Sequence, residues 1–212
     1  MERCAKKGQC SERNAMLRGF RVFVLLALVT VVSACGRYEF RGVTLDPPKE
    51  APDFTLTDFD GKPFRLSEQR GKIVILFFGF TNCPDMCPAA LSDMAAARRK
   101  LGADAEKVQG VFVSLDPDRD TPERLKRYVT AFDPTFIGLR GSEAELSPVM
   151  QDYGVTSIRR ELPDSALKYT IDHSTFIYVI DATGRWRLLF THGMPVDDIV
   201  SDLRYLVRQG GA

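Results

Sequence analysis

Two hydrophobic rhythms take turns along this chain. Asp53-Phe54-Thr55-Leu56-Thr57 and Pro63-Phe64-Arg65-Leu66 alternate apolar with polar residues on either side of Asp60-Gly61, which predicts a β-hairpin. Ile73 to Phe80 is apolar without a break, the pattern of a strand buried on both faces, and Gln109 to Leu115 repeats it. Between them Leu91, Met94, Ala95 and Leu101 recur at helical spacing after Pro88, and Gly102 supplies a stop. Asp120-Thr121-Pro122-Glu123 combines a capping residue, a first-turn proline and an early acid, and Leu125, Tyr128, Val129 and Phe132 then mark a helical face. Phe136 to Leu139 is a short strand. Ser142 and Glu145 form a capping box ahead of Leu146, Val149, Met150 and Tyr153, with Pro148 predicting a kink or a late start and Gly154 an end. Ser174 to Ile180 and Trp186 to Phe190 flank the turn Asp181-Ala182-Thr183-Gly184 as a second hairpin. Val196, Ile199, Val200, Leu203 and Val207 line a last helix that starts near Pro195 and is followed by Gly210.

Strands alternating with helices predict an α/β fold: a thioredoxin-like, mostly parallel central sheet flanked by helices, with an added N-terminal hairpin and antiparallel edges from the late hairpin. Two segments carry no period. Gly36 to Ala51, with Pro47 and Pro48, reads as a tether, and the polar stretch Arg159 to Ala166 as a surface loop.

Charge sharpens the organisation. The 212 residues have a net charge of +1, but residues 1–34 hold six Lys/Arg against two acids, which leaves 23 basic and 26 acidic residues for the rest. A mildly acidic body gives no basis for nucleic-acid binding. The basic start leads into the apolar run Val22 to Val32, shorter than the roughly 20 residues that a membrane span needs. With Ser33-Ala34-Cys35 after it, residues 1–34 read as a secretory signal. The stretch resembles a bacterial lipoprotein signal, which implies lipid on Cys35, a tether over residues 35–51 and a domain over 52–209 on the periplasmic side of the membrane. Ordinary cleavage nearby and an uncleaved short anchor are the other readings.

That reading removes Cys4, Cys10 and Cys35 from the folded body and leaves Cys83 and Cys87. A disulfide between such near neighbours closes almost no loop and stabilises little, so the pair points to chemistry instead of stapling. It stands where a strand becomes a helix, and unpaired backbone N–H groups and the helix dipole there favour thiolate. Two thiolates suit a soft ion such as Cu(I) or a reversible disulfide. The chain has two histidines, His173 and His192. His173 precedes the late hairpin, in the region where a thioredoxin carries a cis-proline opposite its cysteines. Cys83, Cys87 and His173 then offer two sulfurs and one nitrogen, a set that suits trigonal Cu(I), Cu(II) with added oxygen ligands, or zinc with water. Asp172 is a candidate to orient His173; His192 reads as a surface residue. Asp116, Asp118 and Asp120 imitate the start of a calcium loop, but Thr121 and Arg127 stand where such a loop needs glycine and glutamate. They read as solvated capping residues or as a partner contact.

Three stretches, Phe78-Gly79-Phe80-Thr81-Asn82-Cys83-Pro84-Asp85-Met86-Cys87-Pro88, Ser114-Leu115-Asp116-Pro117-Asp118-Arg119-Asp120-Thr121-Pro122 and Asp172-His173-Ser174, resemble the signatures of the Sco/SenC copper-chaperone family in the same order, within a similarity that runs from Pro52 to Val207. The resemblance implies one copper ion, Cu(I) or Cu(II), bound by Cys83, Cys87 and His173. It implies service in assembling the binuclear copper centre of cytochrome c oxidase, with the oxidase copper-binding subunit as recipient and a periplasmic protein as copper donor. Some members look more like thiol–disulfide oxidoreductases, for which Cys83 would attack and Cys87 resolve. A peroxiredoxin-like peroxidase fits Ala51-Pro52-Asp53-Phe54 but not the Thr81-Asn82-Cys83 spacing.

Overall fold

The computed structural model describes residues 38–210. The signal reading of residues 1–34 and the lipidation reading of Cys35 lie outside the described residues. The body begins at Phe40. Its strands are β1 Val43–Glu50, β2 Thr55–Asp58, β3 Pro63–Arg65, β4 Ile73–Gly79, β5 Val108–Ser114, β6 Ile137–Arg140, β7 Ser157–Leu162, β8 Lys168–His173, β9 Ile177–Ile180 and β10 Arg185–Phe190. Among the described residues four α-helices accompany them: α1 Met86–Leu101, α2 Pro122–Thr130, α3 Glu143–Asp152 and α4 Val196–Gly210.

Eight strands form one sheet in the order β1-β10-β9-β4-β5-β6-β2-β3. Only the β4–β5 and β5–β6 pairings are parallel; every other pairing is antiparallel, so the sheet is less parallel than its strand–helix alternation suggests. The fold is nonetheless a thioredoxin-like α/β layer. The β2–β3 hairpin forms at one edge in the register Leu56↔Phe64, as Asp60-Gly61 predicts, with Gly61 at φ 79°.

The alternation of side chains along β4 explains its unbroken apolar run. Ile73, Ile75 and Phe77 pack with α1, α2 and α4 on one face, while Val74, Leu76 and Phe78 pack with α3 and the β2–β3 phenylalanines on the other. The α3 helix has its reciprocal capping box, Ser142 with Glu145, and Pro148 lies inside it, so the helix neither starts late nor stops at the proline. Gly210 is the last residue of α4 instead of lying beyond it.

Two segments read as irregular are strands. Val43–Glu50, read as tether, pairs antiparallel with β10 and forms the outer edge; the register breaks between Thr44 and Lys49, around Pro47-Pro48. Two prolines and a largely exposed edge leave no alternation to read. The Asp202 carboxylate of α4 fastens the chain just before it, accepting the Arg41 and Gly42 backbone N–H groups, the latter at 2.8 Å. The second misread segment is Arg159 to Ala166. Ser157–Leu162 pairs with Lys168–His173 as a two-stranded ribbon that shares no ladder with the main sheet. Its first strand is mostly exposed on both faces, so charged residues replace the expected alternation. Consequently His173 ends a strand, and β9 starts only at Ile177.

Candidate metal centre

The cysteine pair grows out of β4. At its end the chain turns through Thr81 and Asn82 to Cys83, and α1 begins at Met86, so Cys87 lies in the first helical turn and Cys83 lies before the helix. The N-cap residue Asp85 gives no side-chain cap. The Cys83 sulfur takes that role, accepting the Cys87 backbone N–H at 3.4 Å. Cys87 is fully buried and Cys83 half-buried.

This asymmetry separates the two thiols. A hydrogen bond from the Cys87 thiol, with further donation from the backbone N–H groups of Cys87 and Asp85, outweighs burial and lowers Cys83 to about 3. The same hydrogen bond, followed by burial and the charge on Cys83, pushes Cys87 far up. At neutral pH the pair therefore carries one thiolate, on Cys83, and one proton, on Cys87.

His173 reaches this pair from β8. Its Nδ1 lies 2.8 Å from the Ser174 carbonyl oxygen, which can only accept, so Nδ1 carries the hydrogen. Nε2 is left as an acceptor and lies 3.4 Å from the Cys87 sulfur. The rings of Phe77 and Phe80 meet the imidazole edge-on at 6.1 and 5.8 Å. The Cys83, Cys87 and His173 ligand atoms all lie within 4.8 Å of one another, and they form the one such group of Cys, His and carboxylate side chains among the described residues. Metal bonds of about 2.0–2.3 Å bring ligand atoms to roughly 3.5–4 Å apart, within reach of small side-chain rotations. Two soft sulfurs and an imidazole suit copper better than a hard cation. Asp172 does not orient the histidine: it projects to the opposite face of β8 and pairs with Arg160 at 3.1 Å, while the Ser174 carbonyl does that work. His192 is exposed.

Sequence reasoning missed Gly79. A β-carbon there would lie 2.8 Å from the Cys87 sulfur and about as close to the Phe77 ring. The sulfur occupies the space a side chain would fill. The available signal was one glycine among Phe77, Phe78 and Phe80.

The acidic loop was misread at two of its three carboxylates; Asp118 is exposed, as expected. Asp116 and Asp120 are 2 % and 0 % exposed, so neither is a solvated cap nor open to a partner. Asp120 accepts from the Thr81 hydroxyl at 2.6 Å, the Thr81 N–H at 3.1 Å and the Ser114 hydroxyl at 2.6 Å, pinning the turn before Cys83. Arg124 braces the same turn through Thr81, at 2.7 Å, and Asn82. Asp116 accepts from the Tyr169 hydroxyl at 2.6 Å and from Arg119 at 2.5 Å. Burial raises the Tyr169 phenol to about 12, which keeps it a donor at neutral pH.

Comparison with known proteins agrees with this geometry. The SCO1/SenC family model matches residues 43–208. The chain belongs to the SCO1/SenC family. An SCO2-like protein of Rickettsia felis is 39 % identical over 141 residues, covering 66 % of this chain and 69 % of that one. The copper-bound structure of ScoI from Bradyrhizobium japonicum is 37 % identical with a TM-score of 0.67, over 74 % of this chain and 98 % of that one. A SCO1/SenC family lipoprotein from Bacillus anthracis is 29 % identical with a TM-score of 0.63, over 76 % of this chain and 98 % of that one. The family match begins at Val43, the first residue of β1, so this strand belongs to the shared domain. No helix among the described residues is long and apolar enough to cross a membrane.

Proposed function

We propose that this protein is a copper metallochaperone that binds one copper ion through Cys83, Cys87 and His173 and hands it to the copper-binding subunit of cytochrome c oxidase. The observation that carries this reading is the convergence of two thiols and an imidazole nitrogen, brought from separate elements to within 4.8 Å. The copper-bound relative at 37 % identity supports the choice of ion, and membership of the SCO1/SenC family supports the oxidase as destination. Copper is cargo here: a half-buried Cys83 leaves the ion open to attack by an incoming ligand, and oxidation of the pair to a disulfide removes two of the three ligands. The signal-like start and the Bacillus anthracis lipoprotein relative support anchoring through lipid on Cys35, with the domain on the periplasmic side and a copper donor upstream.

The thiol asymmetry favours a second reading, thiol–disulfide exchange that reduces the oxidase's copper-ligand cysteines. The half-buried thiolate at Cys83 would attack and the buried Cys87 thiol would resolve. The two readings separate in a strain lacking this protein and complemented with His173→Ala. Chaperone action predicts oxidase without its binuclear copper while disulfide reduction in vitro persists. Full copper content of the oxidase in that strain overturns the chaperone reading.

A further inference from the structure

The histidine ligand stands on the β7–β8 ribbon, which makes no ladder with the main sheet. Its position therefore depends on side-chain attachments. Tyr169, Ile171 and His173 share one face of β8; the first two are buried in the core and the third faces the cysteines. Apolar packing of this kind is not directional and tolerates sliding. The directional contacts gather at Tyr169 and the nearby Leu167 and Arg159, which pairs with Asp118 at 3.4 Å, and they come from the loop between β5 and α2. Asp116 accepts the phenol hydrogen at 2.6 Å. Arg119 donates to the Leu167 and Tyr169 backbone carbonyls, both at 2.9 Å, and its guanidinium lies 3.5 Å from the centre of the Tyr169 ring. Arg159 covers that ring at 3.6 Å. Arg119 is itself fixed by Asp116 at 2.5 Å and lies over Phe80, the residue that follows β4.

We propose that Asp116 and Arg119 are positioning residues for the metal site: they lock Tyr169, and through the rigid strand β8 they set where His173 meets the cysteines. This inference rests on the three-ligand reading of the site. Leverage makes it consequential. Tyr169 and His173 are four residues apart, about 13 Å along a strand, so a tilt of about 10° at the tyrosine moves the imidazole by about 2 Å. Metal ligands tolerate about 0.2 Å. The same loop pins the other half of the site, because Asp120 holds the turn before Cys83. One nine-residue stretch, Ser114 to Pro122, thus sets the spacing between the histidine and the cysteines.

The test is a double-mutant cycle on the reduced full-length protein, with Cu(I) affinity read by competition against a chelator. Arg119→Gln removes the guanidinium fork and is expected to weaken binding about tenfold, the usual scale for a residue that orients a ligand. In a His173→Ala background the same substitution is expected to change affinity less than about twofold, because no histidine is left to position. Tyr169→Phe keeps the ring and removes only the bond to Asp116, so it gives the same cycle should Arg119→Gln fold poorly. Equal weakening in both backgrounds marks a general effect on the fold and overturns the inference. So does a loss in His173→Ala with none in Arg119→Gln or Tyr169→Phe. Unchanged affinity in His173→Ala overturns the three-ligand reading itself, and the inference with it.

Discussion

The two halves of the metal site are built in opposite ways. Cys83 and Cys87 follow a central strand paired on both sides, and the turn between strand and helix is pinned by a buried carboxylate. His173 ends a ribbon that shares no ladder with the main sheet and is held against it by buried side chains and by Arg119. The difference would suit the proposed role of taking up and then releasing an ion. A fixed thiol pair defines the place of binding, while a ligand on a separately hung ribbon is the one that can be gained or lost at low cost to the fold.

Native-state hydrogen exchange offers the largest contrast. Amides of β7 and β8 should exchange at least about a thousandfold faster than those of β4 and β5, since local opening of a two-stranded ribbon outside the main sheet needs only a fraction of the global unfolding free energy. Equal protection would break the distinction between the two halves. Next in size is Asp120→Ala, which leaves the Thr81 N–H and the Thr81 and Ser114 hydroxyls without their acceptor in a buried turn. Unpaired buried donors cost about 1–3 kcal/mol each, so urea denaturation should show a loss of roughly 3 kcal/mol. A change below about 0.5 kcal/mol would mean that Asp120 does not pin the turn.

Gly79→Ala tests the packing behind the thiols. Its methyl group would lie 2.8 Å from the Cys87 sulfur, and such overpacking costs about 1–3 kcal/mol, with weaker Cu(I) binding as the sulfur is displaced. Wild-type stability and affinity together would show that the sulfur does not depend on that gap.

The smallest effect concerns protons. Cys83 is already a thiolate at neutral pH and Cys87 is not, so binding an ion through both sulfurs must release the Cys87 proton. Affinity should therefore rise with pH, about tenfold per unit between pH 7 and 9, and calorimetry in buffers of different ionisation enthalpy should count about one proton released. Iodoacetamide at pH 6 should label Cys83 in preference to Cys87. Binding without proton release would contradict the assignment of one thiolate and one thiol.

The legible parts of the molecule are those where a single local rule decides the outcome. Asp60-Gly61 makes its hairpin, Ser142 and Glu145 make their capping box, and the double-sided burial of β4 reads directly from its apolar run. The cysteines and His173 were legible as a set because their residue types and places in the α/β order point to one sheet end. What stayed hidden depends on tertiary context. Prolines and solvent exposure conceal β1, and charged exposed faces conceal β7. Asp116 and Asp120 look like surface acids until Tyr169, 53 residues away, and Thr81, 39 residues away, arrive to bury them. Asp172 stands beside the ligand in sequence, yet strand alternation turns it to the other face.

Anaerobic Cu(I) titration of the reduced protein bears most directly on the site. Wild type should bind one equivalent, Cys83→Ser and Cys87→Ser should each lose tight binding, and His173→Ala should bind more weakly by about tenfold or more. A His173→Ala protein that binds Cu(I) as tightly as wild type would contradict the three-ligand site.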